Sequence, residues 1–177
     1  IHELHDELDG VTLAEDGTVE IGPITWFHHV TTSPVIQATV PTLGDACDTP
    51  GGPQLRVSGT IGGNVCTAAT SGDSASTLFA YGALLDVASV RGTRTIPIEE
   101  WYAGPGRSHK ERDELLVKIR IPRSHYEGFT GYYFKYGKRN ALEITTMGCC
   151  CLVKLAADKS TIEDIRLAFG VAGPTPM

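Results

Sequence analysis

Short alternating runs joined by tight turn signals, rather than by long amphipathic helices, restrict this chain more than any other feature. Val11 to Gly22 reads Val-Thr-Leu-Ala-Glu-Asp-Gly-Thr-Val-Glu-Ile-Gly, two alternating segments on either side of Glu15-Asp16-Gly17, which is a hairpin signal. Leu84 to Ser89 and Thr93 to Ile98 flank Arg91-Gly92 in the same manner. Leu115 to Ile121 alternates until Pro122 ends it, as a strand with one wet face would. Parallel strands need long crossovers, and a regular strand and long-helix alternation is missing, so the spacing predicts an α+β fold rather than a doubly wound sheet.

The helices predicted between these strands are short. Thr25 to Thr31 opens one, and Ser33-Pro34 reads as an N-cap followed by proline at the first helical position, starting a helix or turn over Val35 to Thr39. Another covers Thr42 to Cys47, before the turn-rich Asp48-Thr49-Pro50-Gly51-Gly52-Pro53. Ser74 to Gly82 reads as a helix with Asp73 or Ser74 near its N-cap and Gly82 past its end. Glu99 to Tyr102 is a helical turn or loop, and Gly104-Pro105-Gly106 a breaker. A change of composition at Arg123 to Gly131 divides the chain into a domain at 1–122, a linker at 123–131 and a second, partial unit at 132–177. Strands are expected there at Tyr132 to Tyr136, Thr145 to Leu155 and Ile162 to Val171.

Composition narrows the function classes. A net charge of −6 over 177 residues argues against nucleic-acid or membrane-surface partners, which draw on clustered Lys and Arg. No run of eighteen apolar residues exists to form a spanning helix. Five cysteines, three of them consecutive at Cys149-Cys150-Cys151, do not suit a disulfide framework, and a reducing cytoplasm is expected. Neighbours on a strand point to opposite faces, so these three are expected as buried small residues rather than metal ligands. His28-His29 and the pair His2 and His5 lack the Cys or acidic company of a metal site, and His109 to Glu114 reads as a solvated charged loop. No Gly-x-Ser-x-Gly elbow or supported Cys/His pair offers a catalytic nucleophile. The chain starts at Ile1 without a signal-like segment and is expected to be cut from something longer.

The chemistry is expected at Thr60-Ile61-Gly62-Gly63-Asn64. Adjacent glycines between β-branched residues let backbone amides approach a ligand, and consecutive amides form a nest suited to a pyrophosphate. A bulge or tight bend is the alternative. Thr67, Thr70, Ser71, Gly72, Asp73 and Ser74 then supply hydroxyls and a carboxylate just before a helix, where Asp73 either caps that helix or faces a ligand.

The run from Gly52 to Ser74, Gly-Pro-Gln-Leu-Arg-Val-Ser-Gly-Thr-Ile-Gly-Gly-Asn-Val-Cys-Thr-Ala-Ala-Thr-Ser-Gly-Asp-Ser, resembles the second flavin-contacting motif of the FAD-binding subunits of xanthine dehydrogenases. The resemblance continues through Arg91-Gly92-Thr93-Arg94, Asp113-Glu114-Leu115-Leu116-Val117, Phe134-Lys135-Tyr136 and Arg166 to Pro176. It implies the second subdomain of a vanillyl-alcohol-oxidase-type FAD-binding fold up to about Pro122, followed by the start of a C-terminal domain like that of carbon monoxide dehydrogenase flavoproteins. By position, Thr60, Gly62, Gly63 and Asn64 would face the FAD phosphates and adjoining sugar or ribityl groups, with Cys66 and Thr67 behind them. Asp73 would accept from cofactor hydroxyls, Leu115 or Leu116 would pack on the flavin or adenine side, and Lys135 would reach the isoalloxazine edge. The implied partners are a 2Fe-2S subunit and a molybdopterin subunit hydroxylating a purine, with NAD as the electron acceptor. Related flavin subunits serve carbon monoxide, aldehyde, nicotinate and hydroxybenzoyl-CoA hydroxylases, and a scaffold without tight FAD binding is a further reading. The Ala-Gly-Gly-Thr-Asp type loop of the family's first subdomain does not occur, so one wall of a flavin site is expected here.

Overall fold

A computed structural model describes residues 4–139 and 142–177. The first element, α1 (His5–Leu8), leads into the strands β1 (Val11–Leu13) and β2 (Val19–Ile21), which pair antiparallel with Val11 opposite Ile21. The sequence dictates this hairpin locally. Gly17 takes a φ of 82° and Asp16 accepts the Thr18 amide at 2.8 Å, which closes the turn. Val19 and Ile21 point into the core, while Glu20 between them accepts from Lys118 at 2.7 Å.

Six short helices follow: α2 (Phe27–Thr32), α3 (Pro34–Thr39), α4 (Pro41–Cys47), α5 (Pro53–Arg56), α6 (Ile61–Thr67) and α7 (Asp73–Ala80). Ser33 caps α3 and Pro34 occupies its first turn, as its sequence requires. Three results differ from expectation. A short helix not read from the sequence, α5, opens at Pro53, the last residue of the expected Asp48 to Pro53 turn, and Thr60 to Asn64 is not a turn but the start of α6. Helix α7 begins one residue earlier than read, with Gly72 at its N-cap and no side-chain cap from Asp73 or Ser74.

β3 (Leu84–Ser89) and β4 (Gly92–Pro97) form the second expected hairpin. A 3-10 turn at Ile98–Glu100 leads to a small hairpin of β5 (Tyr102–Gly104) and β6 (Arg107–Ser108), where the sequence showed only a breaker. β7 (Leu115–Ile121) enters between β2 and β3, giving an antiparallel sheet in the order β1-β2-β7-β3-β4. The region read as a linker carries α8 (Arg123–Tyr126) and the first residues of β8 (Phe129–Tyr136). β8, β9 (Met147–Leu155) and β10 (Ile162–Gly170) build a second antiparallel sheet in the order β10-β9-β8.

The second sheet packs on α4 and α7, and a single cluster of buried side chains runs from Ile21, Leu85 and Ile119 of the first sheet through Leu43 and Leu78 to Tyr133, Cys150 and Leu152 of the second. Gly131 permits the close approach, because a Cβ there would lie 2.4 Å from Leu152 and 2.7 Å from the Thr42 hydroxyl. Cys150 faces inward, and Cys149 and Cys151 lie half-buried on the other face, where Tyr132, Phe134, Tyr136, Ile165 and Leu167 are exposed.

The charged run at 109–114 is the largely exposed loop before β7 that its composition implies, and it is also tied to the β3-β4 hairpin by ion pairs, with only Glu114 buried. Arg91 binds Asp113 and Glu111, each at 2.7 Å, and Arg94 grips Glu114 through Nε at 2.6 Å and Nη2 at 2.8 Å. Glu114 also accepts the Glu111 amide at 2.7 Å. The Arg94 guanidinium holds its carboxyl at about 2, against an ordinary 4.5. A depressed folded-state value means that this contribution is complete above about 4.5 and is lost as pH falls towards about 2. Thermal unfolding midpoints across that window should therefore fall more steeply for the wild type than for Glu114→Gln. Parallel curves would show that the pair contributes nothing to folding.

Candidate functional site

Helix α6 begins with residues of poor helix propensity, and what holds it is its surroundings. Thr60 is the N-cap, its hydroxyl accepting the Gly63 amide at 3.1 Å. The Ile61 amide donates to Thr25 O at 3.0 Å, Gly62 to Pro23 O at 2.8 Å and Asn64 to Thr60 O at 3.1 Å. All four amides are thus engaged within the chain, and the open nest of amides expected for a pyrophosphate is not what this segment builds.

The two glycines serve different ends. A Cβ on Gly62 would lie 2.4 Å from Pro23 O and 2.5 Å from Pro23 Cβ, so this glycine lets α6 dock against the loop before α2. Gly63 is exposed, and a Cβ there would meet only the Thr60 hydroxyl, at 2.8 Å. Thr67 is also exposed and donates to Gly63 O at 2.7 Å. Thr60, Gly63 and Thr67 therefore form one outward stripe, bare backbone between two hydroxyls, while Ile61 and Val65 go to the core. Asn64 turns sideways and accepts from the Ser74 hydroxyl at 2.7 Å, tying α6 to the start of α7. Cys66 is half-buried, and its thiol is pushed up by that burial. Behind it, Trp101 donates to Val65 O at 3.0 Å and the Gly106 amide to Ala68 O at 2.9 Å, so the β5-β6 region closes the far end of α6.

Asp73 is engaged within the chain. Its carboxylate is buried and accepts from Tyr133 Oη at 2.8 Å, from the Thr145 hydroxyl, and from Lys135 Nζ at 2.9 Å. Burial and the neighbouring carboxylate push the Tyr133 phenol far above its usual range. Lys135 donates in addition to Thr49 O at 3.1 Å and lines a cavity of about 690 Å³ with Asp48, Thr49, Arg56, Phe134 and Arg139. Sequence reasoning named Asp73 and Lys135 but missed that they form one ion pair, and missed Thr49, Tyr133 and Thr145 as their partners. The shared face of Tyr133 and Lys135, two residues apart on a strand, was the one signal available.

Leu116 is only 2% exposed inside the core, so of the two candidate leucines the half-buried Leu115 is the accessible one. His28 and His29 lie exposed on α2, whereas His2 is outside the described residues. Among the described residues no group of three or more His, Cys, Asp or Glu side chains is gathered as a metal site requires.

The contrast between the glycines is measurable. Gly62→Ala should lower the unfolding free energy by about 1–3 kcal/mol through overpacking, and Gly63→Ala should cost under about 1 kcal/mol, chiefly through the Thr60 cap. Equal losses in chemical denaturation would contradict the assignment of one glycine to packing and the other to the open face.

The model of the FAD binding domain in molybdopterin dehydrogenase matches residues 3–124, and that of the CO dehydrogenase flavoprotein C-terminal domain matches residues 132–177. The xanthine dehydrogenase FAD-binding subunit of Escherichia coli O157:H7 is 42% identical over all 177 residues, which cover 60% of that relative. The nicotinate dehydrogenase FAD-subunit of Eubacterium barkeri is 33% identical over 80% of this chain and 48% of its own length. Carbon monoxide dehydrogenase from Hydrogenophaga pseudoflava, solved without the Mo-pyranopterin moiety of its cofactor, superposes with a TM-score of 0.89 at 29% identity, over 97% of this chain and 58% of the other. The chain thus spans about half to three fifths of the length of these relatives. It belongs to the family of the FAD binding domain in molybdopterin dehydrogenase, and its cofactor is FAD.

Proposed function

We propose that this chain is the larger part of a xanthine-dehydrogenase-type FAD subunit, and that the outward stripe Thr60, Gly63 and Thr67, together with Lys135 and Leu115, forms one wall of its flavin site. The observation that carries the xanthine type is 42% identity along the whole chain to a xanthine dehydrogenase FAD-binding subunit, against 33% over a shorter stretch for the nicotinate relative. In this reading the partners are a 2Fe-2S subunit and a molybdopterin subunit acting on hypoxanthine or xanthine in the cytoplasm, and NAD is the final acceptor. FAD, when bound, supplies the exchange between one-electron carriers and a two-electron acceptor.

The residues fit such a group on structural grounds. Gly63 offers exposed backbone without a side chain between the half-buried Thr60 and the exposed Thr67, a surface that suits close contact with a phosphate or sugar edge. Lys135, half-buried at the wall of the 690 Å³ cavity, supplies a cation where a reduced ring gains negative charge. Gly62 and Asn64 support the stripe from beneath rather than forming part of it, since their contacts are with Pro23 and Ser74. Residues 1–122 and 132–177 are proposed as the second flavin subdomain and the start of the C-terminal domain.

Gly63→Val in the full-length subunit should yield a folded protein that has lost most of its FAD, because a branched side chain fills the bare patch. The check is the flavin-to-protein absorbance ratio after purification, alongside a melting curve. Wild-type FAD content in the folded variant would place the cofactor elsewhere.

A further inference from the structure

The 690 Å³ cavity is bordered by three cations, Arg56, Lys135 and Arg139, each with a carboxylate partner. Arg56 meets Asp48 at 3.2 Å, but the Asp48 side chain is 62% exposed, so water and salt screen that pair. Arg139 meets Glu143 at 2.9 Å and is itself 68% exposed. The Lys135 pair differs. The Lys135 side chain is 15% exposed and that of Asp73 only 6%, so the interaction is weakly screened. Tyr133 and Thr145 donate to one Asp73 oxygen and Lys135 to the other, which fixes the carboxylate at the mouth of α7. An ammonium carries three hydrogens, and two of those on Lys135 are taken by Asp73 and Thr49 O.

We infer that Asp73 is a positioning residue whose charge, clamped by Tyr133 and Thr145, sets how much positive potential Lys135 presents to the flavin ring, and so sets the flavin's reduction potential. The inference rests on the proposed placement of Lys135 beside that ring. A lone lysine there would stabilise the anionic reduced form strongly. Paired with a buried carboxylate, it does so less, and the flavin is held at a lower potential from which it can pass electrons onward.

The test is the FAD midpoint potential of the full-length subunit, saturated with FAD, for the wild type and three variants. Asp73→Asn removes the negative charge while leaving an oxygen for Tyr133 and Thr145, and should raise the potential. Lys135→Met should lower it. Each shift is expected to be on the order of tenfold in the reduction equilibrium, about 30 mV for a two-electron couple. Both substitutions break the same ion pair, so a purely structural role would move both in one direction, and the opposed signs are the diagnostic. Tyr133→Phe, which changes no charge, should lower the melting temperature and leave the potential near wild type. If Asp73→Asn fails to fold, Asp73→Ser is read in the same way. An unchanged potential in Lys135→Met would refute the placement of Lys135 at the flavin. A shift there, with none or one of the same sign on removal of the Asp73 charge, would overturn the role of Asp73 while leaving that placement intact.

Discussion

A buried carboxylate is costly unless it is paired and hydrogen-bonded, and the rest of this structure is arranged so that Asp73 is both. Its donors come from β8 and from the stretch before β9, while Asp73 itself opens α7. The second sheet is therefore joined to the helical layer by a polar knot as well as by the apolar cluster that Tyr133, Cys150 and Leu152 share with Leu43 and Leu78. Removing either hydroxyl donor, of Tyr133 or Thr145, leaves the ion pair in place, whereas removing the Lys135 ammonium leaves a buried anion without a counter-charge. The knot also brings a cation to the wall of the cavity, so packing and site chemistry depend on one side chain.

Helix α6 shows how the same residues divide between support and surface. Gly62 is consumed by contact with Pro23, Asn64 by Ser74 and Val65 by the core, which leaves Thr60, Gly63 and Thr67 to face outward. A motif in which Thr60, Gly62, Gly63 and Asn64 read as ligand-facing becomes a stripe in which every third or fourth residue faces outward, because a helix and not a turn carries it. The β5-β6 region and Trp101 fix the far end, so the stripe is presented on a rigid element.

The hairpins and the α+β class were legible because their determinants are local. Asp16-Gly17 and Arg91-Gly92 specify their turns within a few residues, and Ser33-Pro34 specifies the start of α3. Helix α6 was not legible, since two glycines and several β-branched residues argue against a helix and only packing on Pro23 and Thr25 overrides that preference. The partners of Asp73 lie 60 to 72 residues away in sequence, a separation at which no periodicity speaks. The exposure of the charged run at 109–114 was legible, but its ion-pair partners Arg91 and Arg94 were not, for the same reason, since they belong to the β3-β4 hairpin.

The central claim is that the flavin lies along the open stripe of α6 and reaches the Lys135 end of β8. Hydrogen exchange of the full-length subunit with and without FAD measures this directly. The account predicts that FAD slows exchange in peptides covering residues 60–67 and 133–136, and leaves the β3-β4 hairpin at 84–97 unaltered. Protection confined to other segments, with 60–67 exchanging alike in both states, would contradict it.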